Sequence, residues 1–338
     1  MRLPQSDRPL LGFSRSLALL AAMAIGTSLS AQVTIDTVAV GYAGNSGVPL
    51  TGTGSVGYDY RIGSYEVTNA QYASFLNSVA MSDNHGLYSA GMGTDSTMGG
   101  ILRAGSSGSY AYTVKSGYEN KPVVFVSFWD AARFVNWLSN GQGNGSTETG
   151  SYTLTAEGIS ANTIARNSGA TIWIPSENEW FKSAYFDPST GNYSLYPTRS
   201  SSSPSNAVIS PDPGNNANFF GVDYSVGGPA YLTDVGEFEN SSSFFGTFDQ
   251  GGNVSEWNED IQFGIDREVR GGSWLDVENG MRSTNWQSII PSTETAYVGF
   301  RVASVTAIPE TRMYVALIGA FALALAALRR WRVVRLLR

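Results

Sequence analysis

The sequence predicts an α+β fold rich in loops, with few short helices and short strands. Three capping patterns, Thr68–Gln71, Ser127–Asp130 and Ser176–Glu179, each open a short run of apolar residues at helical spacing. Between them lie long glycine- and serine-rich stretches with no lasting period. The chain has 38 glycines and is 12% aromatic but only 14% charged, which suits a compact loop-rich domain and not a helical bundle.

Residues 33–60 alternate weakly and predict short strands leading to Tyr60–Val67. The Thr68 hydroxyl can accept from the third helical N–H while Gln71 reaches back to the cap, and Tyr72, Phe75, Leu76 and Val79 follow at helical spacing, so helix one covers 69–79. Residues 81–118 read as a long surface excursion in which His85, the only histidine, is exposed. Val123–Val126 reads as a strand. Helix two follows over 128–139, with Phe128, Ala131, Ala132, Val135 and Leu138 forming its apolar stripe. Residues 151–170 are polar and are expected to vary in conformation. Ser176 caps helix three, where Glu177 and Glu179 favour the positive helix start, and Asp187-Pro188 ends it. Residues 189–243 are loop-like, a length that calls for a ligand or ion to order it.

Both ends read as addresses. Arg2, Arg8 and Arg15 precede an apolar run from Leu17 to Ile25 and small residues through Ser30-Ala31, so 1–31 is expected to be a signal peptide. At the other end Ile308-Pro309-Glu310 precedes Met313–Leu328, a stretch without charge, and then Arg329, Arg330, Arg332, Arg335 and Arg338. The stretch 313–328 is expected to span a membrane with its basic flank in the cytoplasm. This tail resembles the PEP-CTERM sorting signal of Gram-negative bacteria, departing from it at Thr311. The resemblance implies an exosortase-type partner and an inner-membrane-anchored stage before the cell surface or extracellular space. A single domain is expected over 32–304, followed by the sorting segment 305–338.

Without both ends, residues 32–307 carry 26 acidic and 12 basic residues, a net charge of −14. So acidic a body argues against nucleic-acid binding, which needs a basic face to displace counterions. It suits exported material and divalent cations. Zero cysteine excludes disulfides, thiolate catalysis and cysteine metal sites.

Six ordered segments carry a resemblance: Glu66–Asn69; Pro122–Ala131, with Phe128 in a tryptophan position; Pro175–Trp180, preceded by Trp173-Ile174; Gly252–Trp257; Arg270–Trp274; and Gly299–Arg301. Together they resemble the formylglycine-generating, or sulfatase-modifying factor, family. The resemblance implies a complex fold related to C-type lectins. The family's oxidases bind copper through two cysteines shortly after Gly-Gly-Ser. Here those positions fall near Asp276 and Met281, and a carboxylate with a thioether cannot reproduce a soft thiolate Cu(I) site. Neither copper nor formylglycine generation is therefore expected. The resemblance also implies structural calcium. Asp249 and Glu256 would give carboxylate oxygens and Gly252 and Val254 carbonyls, the hard donors that Ca²⁺ prefers. Asn218 and Phe219 would begin a second site, with Asp223 as a further candidate.

Glu256, Glu259 and Asp260 can also be read as a glycosidase acid pair, although neighbouring acids in a loop are more often solvated or ion-bound. Of the tryptophans, Trp129, Trp137, Trp173, Trp180, Trp257, Trp274 and Trp286 could stack on sugars, but the motifs direct most of them inward. Gly271-Gly272 has no following lysine and is no phosphate loop. The expected function is an exported, non-catalytic binding or structural module at the surface or in an extracellular matrix, with polysaccharide or protein as its partner. The alternatives are a carboxylate-based hydrolase using Glu256 or Asp276, and a carbohydrate-binding module.

Overall fold

The computed structural model describes residues 32–306 and 308. The chain partitions into Met1–Ala31 and Gln32–Arg338, and only the second unit contains described residues. In chain order the elements are β1 (Thr37–Val40), β2 (Tyr60–Gly63), α1 (Asn69–Val79), α2 (Gly91–Thr94), β3 (Ile101–Ala104), β4 (Ala111–Val114), α3 (Phe128–Ser139), α4 (Ala156–Ser160), β5 (Ile172–Trp173), α5 (Glu177–Tyr185), β6 (Phe186–Asp187), β7 (Asn192–Tyr193), β8 (Ser255–Gln262), β9 (Asp266–Arg270), β10 (Gln287–Ile289), β11 (Val298–Gly299) and β12 (Ala303–Ser304). This is a mixed α+β fold of short elements, as expected.

The three long helices start where their caps are written. Thr68 accepts from the Gln71 N–H at 3.3 Å and Gln71 Oε1 from the Thr68 N–H at 2.9 Å. Ser127 with Asp130, and Ser176 with Glu179, repeat this exchange. Each box satisfies two N–H groups that the helix itself cannot. The apolar faces of α1 and α3 meet in an aromatic cluster. Phe75 lies edge-on to Phe134 at 5.5 Å, Tyr72 stacks on Phe134 at 6.0 Å, and Phe300 closes on Phe134 at 5.4 Å. Burial of such a ring contributes roughly 1.5–3 kcal/mol, so this cluster is a major part of the core.

Two four-stranded sheets frame that core, ordered β1-β2-β12-β5 and β10-β9-β8-β11. The carboxy-terminal strands join them. β11 pairs in parallel with β8, setting Val298 opposite Ser255, and β12 inserts between β2 and β5, setting Ala303 opposite both Ile62 and Trp173. Residues 300–302 therefore cross from one sheet to the other.

Three local expectations fail. Val123–Val126 is not a strand: the Val123 N–H bonds to the Val67 carbonyl, but Phe125 has φ 60°, a left-handed backbone that breaks the extended run. The excursion 81–118 is not all surface. It contains α2 and the β3–β4 hairpin, and it buries Leu87, Met92, Ile101 and Tyr112. In the polar stretch 151–170 a Thr155 cap starts α4. Apart from β7, the long segment 189–243 is loop-like as expected, tied by isolated bridges such as Ser205–Asn216 and Asn218–Gly252.

The expected transmembrane helix is corrected, and with it the inner membrane as a partner, the anchored stage of localisation and the exosortase-type partner. Among the described residues no helix is long and apolar enough to cross a membrane. The longest, α3, has 12 residues; at ~1.5 Å per residue that is well short of a ~30 Å hydrocarbon core. The stretch 313–328 lies outside the described residues, as do the signal peptide 1–31 and the Pro309–Arg338 part of the sorting segment.

The α3 cap makes stability depend on pH. Burial pushes the Asp130 carboxyl up to about 7, although bonds from Ser127 hold it down. An unfolded aspartate titrates near ~3.9, so between these values the native state holds a proton that the unfolded chain releases. The contribution is full below pH ~4 and is lost as pH rises through about 7. The urea midpoint is expected to fall between pH 4 and 8, and to fall less in Asp130→Asn. Equal slopes in the two proteins would remove Asp130 from this account.

Candidate functional site

Four of the six motif segments converge on one buried polar frame. Glu256, at the start of β8, and Arg301, just after β11, are both fully buried and form a two-pronged pair. Arg301 Nε donates to Glu256 Oε2 at 2.6 Å and Nη2 to Oε1 at 2.7 Å. Trp180 Nε1 donates to the same Oε2 at 2.8 Å. The guanidinium also donates to the carbonyls of Gly63 and Phe248, each at 2.9 Å. One side chain thus binds β2 of the first sheet and β8 of the second. From the Glu66–Asn69 segment, Glu66 accepts from Asn253 Nδ2 at 3.2 Å, and its second oxygen is buried with no partner among the described residues. Burial, with Asp249 nearby, raises the Glu66 carboxyl well above its usual range.

A second network runs alongside. Glu179, the α5 capping residue, accepts from Trp173 Nε1, from the Tyr58 hydroxyl at 2.6 Å and from Arg166 at 2.8 Å. Arg166 reaches Glu259 as well, at 2.5 Å, and lies over the Trp173 ring at 4.3 Å. Arg270 joins Glu268 at 2.6 Å and also Glu177. Glu179 is held below the usual carboxylate range because the hydrogen bond and charge of Arg166 overcome the burial that would raise it.

The Gly-Gly-Ser turn is built for close packing. Gly271 (φ 94°) and Gly272 (φ 66°) are left-handed; a Cβ on the first would meet the Gln250 carbonyl at 2.8 Å, and on the second the Gly280 backbone at 2.9 Å. Asp276 and Met281, expected at or near the family's cysteine positions, are both engaged. Asp276 Oδ2 accepts from the Ser273 N–H at 2.9 Å and hydroxyl at 2.7 Å, which closes the turn. Met281 is fully buried and packs with Tyr196, Ala217 and Phe219. The Asp276 carboxylate is thus committed to closing the turn, and the Met281 side chain to the interior.

The calcium expectation meets a mixed donor set. Asp249 is half-buried, with φ 56°, and its Oδ2 accepts from the Gly236 N–H at 2.6 Å. Desolvation pushes its carboxyl up to about 6, against the Gly236 bond and the Arg301 charge that hold it down, and an added cation would hold it down further. Asp249 and the carbonyls of Gly252 and Val254 are donors of the right chemistry. Glu256 fits poorly, because both its oxygens face the Arg301 guanidinium. Asn218 donates to the Tyr231 carbonyl and to Asn253 Oδ1, and its own carbonyl accepts from the Asn253 N–H at 2.7 Å. The Phe219 carbonyl takes Asn206 and Ser225, and Asp223 is exposed beside Tyr224. Among the described residues no group of three His, Cys, Asp or Glu side chains is arranged to hold a metal.

Most of the tryptophans are core, as expected: Trp129, Trp137, Trp173, Trp180 and Trp257 are buried, while Trp274 is half-buried and Trp286 exposed. His85 is exposed, 3.6 Å from Glu148. Glu256, Glu259 and Asp260 do not act together as an acid pair, since Glu256 is sealed by Arg301. Reading the sequence missed Arg166 and Arg267, which share the open side of β8 with Glu259 and Asp260. Two arginines with no periodic pattern around them give no local signal.

Removing one partner from a fully desolvated pair leaves a bare charge, at a cost of about 3–5 kcal/mol. Arg301→Ala is expected to lose that much in urea unfolding. A loss of no more than about 1 kcal/mol, the range of a solvent-exposed pair, would show that the pair does not hold the two sheets together.

Comparison with known proteins follows the same frame. The model of the sulfatase-modifying factor enzyme 1-like domain matches residues 38–306. No curated protein matches the chain. Among solved structures, CarF is 22% identical with a TM-score of 0.51, covering 80% of this chain and 98% of its own. Treponema denticola variable protein 1 is 17% identical with a TM-score of 0.46, over 81% and 96%. PvdO from Pseudomonas aeruginosa is 18% identical with a TM-score of 0.41, over 81% and 93%. The likeness to CarF speaks to the fold alone.

Proposed function

We propose a non-catalytic binding role for this chain, which belongs to the sulfatase-modifying factor enzyme 1-like family. The observation that carries the proposal is the fate of the motif residues. Glu256, Arg301, Trp180 and Arg270 are consumed in buried pairs, and the cysteine positions hold a turn cap and a core plug. The absence of cysteine is consistent with loss of formylglycine-generating activity. Such a frame supports a rigid surface of loops, as a module of the C-type-lectin-like kind would use. The domain would be 32–304, and export rests on the amino-terminal pattern of Arg2, Arg8 and Arg15 before Leu17–Ile25.

The purified protein, supplied with copper and a cysteine-bearing sulfatase peptide, is expected to form no aldehyde. Turnover above the peptide-only control would end the non-catalytic reading.

A structural calcium is part of the same proposal, with Asp249, Gly252 and Val254 as ligands and Glu256 occupied by Arg301. Calcium at a hundred times its dissociation constant would stabilise the fold by about 2.7 kcal/mol. The melting midpoint is expected to rise by several degrees when EDTA is replaced by calcium, and less in Asp249→Asn. An unchanged midpoint would remove the ion.

A further inference from the structure

We propose that the cleft beside the β8 bulge binds a neutral saccharide. The inference rests on the binding-module reading above and gives it a ligand class. The cleft holds about 400 Å³, within the range of small-ligand sites. The β8–β9 pairing shifts register between Trp257 and Ile261. A bulge of this kind re-aims side chains, and here Glu259 and Asp260 come to line the cleft, opposite Arg166 and Arg267.

Two of these groups have unused capacity. Arg267 is almost wholly buried over the Phe128 ring at 4.2 Å, and it donates only to neutral acceptors: Asn162 Oδ1 at 2.8 Å, the Ile164 carbonyl at 2.7 Å and the Glu259 carbonyl. Among the described residues it has no ion pair. Three of its five N–H groups are used. Asp260 accepts one bond, from the Glu177 N–H at 2.5 Å, and also has no ion pair among the described residues. A guanidinium and a carboxylate thus line one cavity without being partners.

Arg166 completes the wall, held between Glu179 and Glu259 with 22% of its side chain exposed. Two guanidiniums and two carboxylates leave the wall without net charge. An anionic ligand would meet Glu259 and Asp260, and an amine would meet the guanidiniums. A purely apolar ligand would leave the spare capacity of Arg267 and Asp260 unmet, at a cost for each buried unpaired group. Sugar hydroxyls donate and accept without charge, and the aliphatic Ile164 offers the ring an apolar floor.

The test is affinity gel electrophoresis of the full-length protein in a soluble β-glucan, an α-glucan and a galactomannan, with a polyuronate as the charged comparison. At least one neutral polymer is expected to retard the protein. Ala165→Trp, on the exposed rim of the cleft, and Asp260→Asn are each expected to weaken that retardation at least tenfold, with the melting midpoint of Ala165→Trp unchanged. No retardation by any neutral polymer, retardation by the polyuronate alone, or undiminished retardation of Ala165→Trp would each overturn the saccharide site. These results leave the aldehyde assay untouched, so the two readings fail separately. Release of reducing ends from a bound polymer would uphold the cleft and overturn the non-catalytic reading.

Discussion

The pairing of Arg301 with Glu256 is the constraint on which the rest of the molecule depends. It sits where the carboxy-terminal strands cross from one sheet to the other, and its guanidinium also holds the Gly63 and Phe248 carbonyls. Two charges taken so far out of water cost several kcal/mol each, and only complete hydrogen bonding returns that energy. Here the carboxylate receives three donors and the guanidinium meets four acceptor oxygens. The geometry of both sheets must hold for the count to close, so the pair fixes how they join.

That demand explains why motif residues can persist where the family's oxidative chemistry does not. Trp180, Glu256, Arg270 and Arg301 serve the frame, and Gly271 and Gly272 let its turn approach other backbone closely. The reactive sulfur of the oxidases is a separate requirement. Met281 fills the interior and Asp276 closes a turn, so the same architecture stands without it. The frame also leaves open the side of β8, where a local bulge brings Asp260 and Arg267 to one cleft without an ion pair to either among the described residues.

Helix starts were legible in the sequence because capping is local chemistry. A hydroxyl and a carboxylate or amide three residues apart satisfy the same two N–H groups wherever the helix packs. Strands were harder. Val123–Val126 has the residues of a strand, yet the left-handed backbone at Phe125, which bonds the Thr295 carbonyl, ends the run. The β8–β9 hairpin carries Glu, Asp and Arg in strand positions, so composition hides it. The motif acids were found but their partners were not: Glu256 suggested calcium or catalysis until Arg301 was seen on both its oxygens.

The sequence by itself determined the family, the lack of any thiol and the positions of three capped helices, since each is a matter of residue identity or of contacts within four residues. Only the tertiary structure decided which carboxylate meets which guanidinium. Glu256 and Arg301 are 45 residues apart, and Arg166 and Glu259 are 93 apart. Such pairings are set by how sheets and loops come together, and neither spacing nor composition encodes that distance.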